Sequence, residues 1–167
     1  MDTKIDFKNP EFYENRELSW IKFDNRVLSE ARDKSIPLLE RLKFVSITSS
    51  NLDEFFMVRV ASLLDMVHAN YKKRDIAGMT ATEQLAAINK ETRELVDTQY
   101  STYTRSLVPL LNKEGIYLVD EHETLTDEQA AFVDRYFMES VYPVLTPMAV
   151  DASRPFPLIR NKTLNIA

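Results

Sequence analysis

Apolar positions along residues 20–112 recur every three or four residues, which is the spacing of one face of an α-helix. Ser19 is a favoured N-cap residue and stands just before the first stripe, so the pattern predicts a first helix over about 20–32. Pro37 is tolerated in a first helical turn and opens the second stripe. The chain up to residue 112 is therefore predicted to fold as a helical bundle.

Four small polar residues, 48–51, interrupt the second stripe. Their side chains compete with helical backbone hydrogen bonds, and such a run favours a cap or a turn. Asn51 precedes Glu54 by three residues, which is the spacing of a capping box, so we expect Asn51 to be the N-cap of a third helix. Asp53 and Glu54 are then expected to be first-turn acids that the helix dipole stabilises.

The longest predicted helix begins after a turn at Gly78. The segment from Thr80 to Glu83 opens it, and Gly115 lies at its C-cap position. Pro109 should kink or shorten its last turn, because proline removes a helical hydrogen bond.

Beyond residue 112 the pattern changes. The apolar run 116–119 is typical of a short strand, and residues 163–167 predict a second one. Between them, Thr126 and Gln129 have capping-box spacing and open one further helix.

The predicted fold class is mainly α. An N-terminal helical bundle over residues 1–112 is followed by the beginning of a truncated α/β domain over residues 113–167. The second predicted strand has no partner left in the sequence, so we expect the reading frame to continue past Ala167.

The amino-acid composition excludes several kinds of functional site. The chain has no Cys, which excludes disulfides, thiolate zinc sites and Cys nucleophiles. Its two glycines, Gly78 and Gly115, are too far apart for a glycine-rich phosphate loop. The formal net charge is −5 without a basic stripe, so no nucleic-acid binding is predicted. No apolar run approaches the length of about 18 residues that a transmembrane helix needs.

Several side chains have both a structural and a functional interpretation. His68 is expected to favour a helix C-terminus, His122 lies in an acidic loop, and Arg59 is expected to pair with a nearby acid. The cluster 72–74 is either a solvated helix end or a contact for a polyanion. Five aromatic residues are either core or a stacking wall for an adenine ring. They are Trp20, Phe23, Phe44, Phe55 and Phe56.

Several separated segments carry a resemblance to a known family. Residues 15–23 (NRELSWIKF), 37–44 (PLLERLKF) and 50–60 (SNLDEFFMVRV) resemble the N-terminal domain of bacterial polyphosphate kinases. The later segment 145–167, from LTPMAVD through PFPL to LNIA, is similar to the start of the head, or middle, domain of that family.

The resemblance implies an enzyme that reversibly transfers the terminal phosphate of ATP to inorganic polyphosphate through a phosphohistidine. It implies ATP and Mg²⁺ as cofactors of a longer parent, ADP and polyphosphate as further partners, and a homo-oligomer built by the head domain. The phosphorylated His and the Mg²⁺-handling residues of the family lie in domains beyond this chain. The fragment is therefore expected to hold no catalytic residue and no metal ligand, to bind no cofactor tightly and to be inactive alone. We expect a cytoplasmic protein, with peripheral attachment to the inner membrane face left open.

Asn51 is the one site residue that the resemblance implies. It opens the N-L-D-E-F motif, whose Asn contacts the nucleotide in that family. An Asn amide offers a donor and an acceptor, which is the pattern that pairs with the N6 and N7 edge of adenine. The alternative interpretation is a plain N-cap.

A different class of function stays open at this point. The Leu and Phe stripes of a stand-alone helical module are able to bind a partner helix in a groove. A stop codon after Ala167 would favour the module, and an open reading frame would favour the enzyme fragment.

Overall fold

The computed structural model of the chain describes residues 6–153 and 155–166. These residues form helices and irregular segments but no strand, so the mainly α prediction is confirmed. The α-helices are α1 (Arg16–Arg32), α2 (Leu38–Glu54), α3 (Ala61–His68), α4 (Ala81–Thr102), α5 (Val108–Lys113) and α6 (Asp127–Tyr136). Three π-helical turns continue them, namely π1 (Phe55–Val60), π2 (Tyr103–Leu107) and π3 (Phe137–Val141), and short 3₁₀ turns span Pro10–Phe12, His122–Thr124 and Tyr142–Val144.

Helix α1 begins four residues earlier than predicted. Its N-cap is Asn15, whose Oδ1 accepts hydrogen bonds from the backbone N–H groups of Glu17 and Leu18, both at 3.0 Å. The predicted cap, Ser19, is wrong, because its own N–H already donates to the Asn15 carbonyl at 3.0 Å. The Nδ2 group of Asn15 donates to Oδ2 of Asp75 at 2.6 Å and so ties the helix start to the segment before α4.

The predicted break at 48–51 is also wrong. Helix α2 continues through π1 into α3, so the backbone stays helical from residue 38 to residue 68. The hydroxyl of Thr48 donates to the Phe44 carbonyl one turn back, at 2.9 Å. This hydrogen bond gives the polar side chain a partner inside the helix. Thr48 is fully buried, and this burial overrides the local preference for a turn.

As a consequence, Asn51 caps no helix. The N–H of Phe55 donates to the Asn51 carbonyl, as in a helix interior. Asp53 and Glu54 therefore lie at the end of α2, next to π1, and not in the first turn of a helix. The predicted capping box between Asn51 and Glu54 is wrong for the same reason.

Other local signals are confirmed. The predicted capping box at Thr126 forms, with its hydroxyl accepting from the Gln129 N–H. A further capping box opens α4, where the Thr80 hydroxyl accepts from the Glu83 N–H. Gly115 ends α5 with φ of +78°, a conformation that glycine adopts without strain. Pro109 does not shorten the helix, because π2 precedes it and α5 continues to Lys113.

Helix α1 packs against α2 and α4, and α3 also packs against α4. Their apolar stripes meet in one core. The core consists of Ile21, Leu28, Ala31, Val45, Leu52, Phe55, Val60, Leu63, Ala81, Ile88, Leu95 and Leu107.

The chain divides into two compact units, one up to Leu118 and one from Val119. The second unit contains α6, and none of its described residues is buried. The segments 116–119 and 163–166 form no strand, because a strand needs a partner and no described segment pairs with them. No helix among the described residues is long and apolar enough to cross a membrane.

The capping box of α4 gives a direct stability test. Thr80→Ala removes the acceptor for the Glu83 N–H at the start of the longest helix. We expect a loss of about 0.5–2 kcal/mol in the free energy of unfolding, measured by thermal or urea melts. Thr82→Ala is the matched control, because Thr82 is exposed in the same turn and caps nothing. Equal losses in both variants would contradict the role of the cap.

Candidate functional site

A cavity of about 280 Å³ lies between α1 and the junction of α2 with π1. Its walls combine aromatic, amide and charged side chains. They are Trp20, Phe23, Asn51, Glu54, Phe55, Val58 and Arg59. The cavity thus joins an apolar wall to a small number of polar groups, which is the usual composition of small-molecule sites.

Two stacked rings form the apolar wall. The ring centroids of Trp20 and Phe55 lie 4.3 Å apart with planes at 8°, and Phe56 meets Phe55 edge-on at 6.0 Å. Phe55 is only 2% exposed and belongs to the core. Phe23 is 54% exposed, so its ring is available at the cavity. The core interpretation is therefore confirmed for Phe55, whereas the stacking wall stays a prediction for Phe23.

Asn51 is held by a buried acid. Its Nδ2 group donates to Oδ1 of Asp24 at 2.8 Å, and Asp24 is fully buried on α1. Because an ionised carboxylate only accepts hydrogen bonds, this contact fixes which end of the Asn51 amide faces Asp24. The second Nδ2 hydrogen and Oδ1 of Asn51 make no hydrogen bond to the described residues, and Asn51 lines the cavity.

Asp24 is the ionisable group of this contact. Burial raises the pKa of its carboxyl group, and the hydrogen bond from Asn51 opposes that rise. Its second oxygen, Oδ2, is buried without a hydrogen-bond partner in the described part of the chain. Among the described residues, the Asn51 amide is therefore the side-chain donor that stabilises this buried carboxylate.

Sequence reasoning missed Asp24, although a signal was present. The residue stands between Ile21 and Leu28, at the spacing of the buried stripe of α1. An acid in a buried stripe requires a polar partner across the interface. The partner is Asn51, which lies 27 positions further along the chain.

Arg59 lies at the polar end of the cavity. Its Nη1 atom is 3.9 Å from Oε1 of Glu17, so the prediction that it pairs with a nearby acid is confirmed. The same carboxylate also accepts from Arg16 at 2.9 Å, and it is largely buried. Arg59 and Glu54 place one positive and one negative group on the cavity wall.

The remaining predicted residues lie elsewhere. His68 is in the last turn of α3, as predicted. His122 contacts Asp134, with Nε2 and Oδ1 3.0 Å apart, in the second unit. Lys72 and Lys73 are exposed after α3. Arg74 pairs with Glu83 at 2.8 Å. None of these side chains lines the cavity around Asn51.

Residues up to Leu118 form a helical unit with a small amphipathic cavity. Residues 13–119 match the family model of the polyphosphate kinase N-terminal domain, and residues 128–167 match that of the polyphosphate kinase middle domain. The chain belongs to the polyphosphate kinase family.

Relatives with that name align along almost the whole chain. It is 55% identical over 163 residues to polyphosphate kinase from Lactiplantibacillus plantarum, and 52% identical over 164 residues to the one from Halalkalibacterium halodurans. These alignments cover 98% of this chain and 23% of each relative. The chain thus spans less than a quarter of the length of these relatives.

A solved structure has the same fold. The crystal structure of polyphosphate kinase from Porphyromonas gingivalis superposes with a TM-score of 0.74 and 33% sequence identity. The match covers 88% of this chain and 20% of that chain.

Proposed function

We propose that this chain is the N-terminal part of an ATP:polyphosphate phosphotransferase and that the cavity around Asn51 takes the adenine end of the nucleotide. The observation that carries the proposal is the Asn51 amide, which Asp24 orients toward a cavity with an aromatic wall. Membership of the family supports the phosphate-transfer reaction of the longer protein, and the chemistry of the cavity supports adenine binding by this chain.

The cavity walls suit a flat base with a polar edge. The exposed ring of Phe23 offers a face for stacking, since aromatic rings prefer offset or edge contacts with other rings. Oδ1 and the second Nδ2 hydrogen of Asn51 supply one acceptor and one donor, which match the amino group and the ring nitrogen of adenine. Because Asp24 is buried, the amide keeps this orientation before a ligand arrives.

The proposal places the chemical step outside this chain. In the longer protein, phosphate transfer to polyphosphate through a phosphohistidine and release of ADP belong to other segments, and residues 113–167 begin the head domain that builds a homo-oligomer. Among the described residues no three His, Asp or Glu side chains come together. The Mg²⁺ of the reaction is assigned to segments beyond this chain, as the family implies. This chain contributes binding and orientation of the nucleotide.

Kinetics of the longer protein test the role of Asn51. Asn51→Ala removes the amide donor and acceptor, and we expect the KM for ATP to rise roughly threefold to tenfold, as for an ordinary lost hydrogen bond. The KM for polyphosphate should stay near its original value, because the base end of ATP is remote from the phosphate that is transferred.

Asn25→Ala is the matched control. Asn25 is exposed on α1, next to Asp24 in sequence, and does not line the cavity. Its KM for ATP should equal that of the unmodified protein. An unchanged KM for ATP in Asn51→Ala would remove Asn51 from the nucleotide site. A gene that ends at Ala167 would instead favour a stand-alone helical module.

A further inference from the structure

A second cleft, of about 530 Å³, lies where the end of α1 faces π2. It has the size of a small-molecule site and shares no lining residue with the cavity around Asn51. Its walls carry four cationic side chains and several hydroxyl groups. The cations are Arg32, Lys34, Arg41 and Arg105.

Arg41 is a buried cation without a buried anion. It is 5% exposed, its Nε donates to the Ala31 carbonyl at 2.8 Å, and its Nη2 donates to the Ser106 hydroxyl at 3.3 Å. Among the described residues no carboxylate lies within 4.0 Å of its guanidinium. Both partners are neutral, although the Ala31 carbonyl belongs to the negative end of α1. Buried charges are normally paired, whereas this guanidinium makes no ion pair within 4.0 Å and has only a longer-range attraction to the carboxylate of Asp33.

The other cations of the cleft are also without ion pairs. Arg32, Lys34 and Arg105 are exposed, and in the described part of the chain none forms a salt bridge. Asp97 is the one acid on the cleft wall. Asp33 is a second acid close by, and its carboxylate accepts the N–H and the hydroxyl of Ser35, both at 2.8 Å. These hydrogen bonds and the positive charge of Arg41 lower the pKa of Asp33. A chain of net charge −5 therefore keeps a local excess of positive charge in this cleft.

We propose that this cleft binds an anion that carries more than one phosphate group. Guanidinium groups match phosphate oxygens in paired hydrogen bonds, and an ammonium group adds a compact charge. The hydroxyls of Ser101 and Ser106 offer further donors on the same wall. The four cations outnumber Asp97 and Asp33 by two, and a cleft of about 530 Å³ is much larger than one tetrahedral anion, which favours a chain of phosphates over orthophosphate. The proposal stands on Arg41 and does not depend on the role of Asn51.

Calorimetric titration of the 167-residue chain with tripolyphosphate tests the proposal. The double variant Arg32→Gln with Arg105→Gln removes two exposed cations of the cleft and leaves the buried Arg41 in place. We expect its affinity to fall by roughly tenfold or more, because each change removes a charge-assisted hydrogen bond. The matched control is Arg26→Gln with Arg93→Gln, which removes the same charge from exposed positions of α1 and α4 outside the cleft. The control should bind within about twofold of the unmodified chain.

Titrations with other ligands separate the binding of a phosphate chain from a general attraction of negative charge. Orthophosphate and sulfate should bind more weakly than tripolyphosphate, and the cleft variant should bind adenosine, which has no phosphate, as the unmodified chain does. Equal losses in the two double variants, or equal binding of sulfate and tripolyphosphate, would show a general effect of surface charge and overturn the proposal. Tighter binding of an acidic peptide of the same charge would also overturn it. Equal helical circular dichroism of the variants shows that their folds are intact.

Discussion

Replacing Asn51 with aspartate is expected to lower the melting temperature of this chain by roughly 5–15 °C at neutral pH, because about 2–4 kcal/mol of stability is lost. The new carboxylate would stand at the position of the Nδ2 group that donates to Asp24 at 2.8 Å. Two carboxylates at this distance repel each other, and Asp24 is fully buried. If Asn51 were an N-cap, aspartate would replace it without loss.

The loss should depend on pH. In the unmodified chain, burial already holds the pKa of Asp24 above its ordinary value. A second carboxylate raises it further, so the folded variant binds a proton that the unfolded chain releases near pH 4. Below that pH both carboxyl groups are protonated in either state and the penalty is absent. It grows as the pH rises through the raised folded value, so thermal melts between pH 4 and pH 8 should diverge.

A swap of the two side chains provides the control. Asp24→Asn combined with Asn51→Asp restores one amide and one carboxylate at the contact, and we expect it to recover most of the lost stability. If the double variant stays as unstable as Asn51→Asp, repulsion between the two carboxylates is not the cause of the lost stability. An unchanged melting temperature in Asn51→Asp at neutral pH would contradict the contact itself.

Phe55→Ala is expected to cost about 3–5 kcal/mol, the usual range for a buried phenylalanine. Phe55 is 2% exposed and stacks on Trp20 with centroids 4.3 Å apart, so its removal opens the core below the cavity around Asn51. Trp20 is the one tryptophan of the chain, and its fluorescence should shift to longer wavelength as water reaches the ring. Thermal melts and the emission spectrum measure both effects.

Phe56→Ala is the matched control, since it is the same substitution at the next position. Phe56 is 43% exposed, so its truncation should cost less than half as much and leave the Trp20 emission near its original wavelength. Similar losses in both variants would contradict the assignment of Phe55 to the core.

Much of this fold follows from local sequence signals. The capping boxes at Thr80 and Thr126 formed because the groups that satisfy each other lie three residues apart in the chain. Gly115 ended its helix because only glycine adopts a φ of +78° without strain. The helical stripes marked the core for a similar reason, since one face of a helix is fixed by the spacing of its residues.

The tertiary structure alone decided the side-chain contacts around Asn51. Residues 48–51 have a local preference for a turn, yet α2 runs through them, because burial of Thr48 and Leu52 against the other helices outweighs that preference. The contact between Asn51 and Asp24 joins two helices across 27 residues, and no local spacing encodes it. Sequence resemblance marked Asn51 as a site residue, but the role of its neighbours depends on which side chains the packed helices bring together.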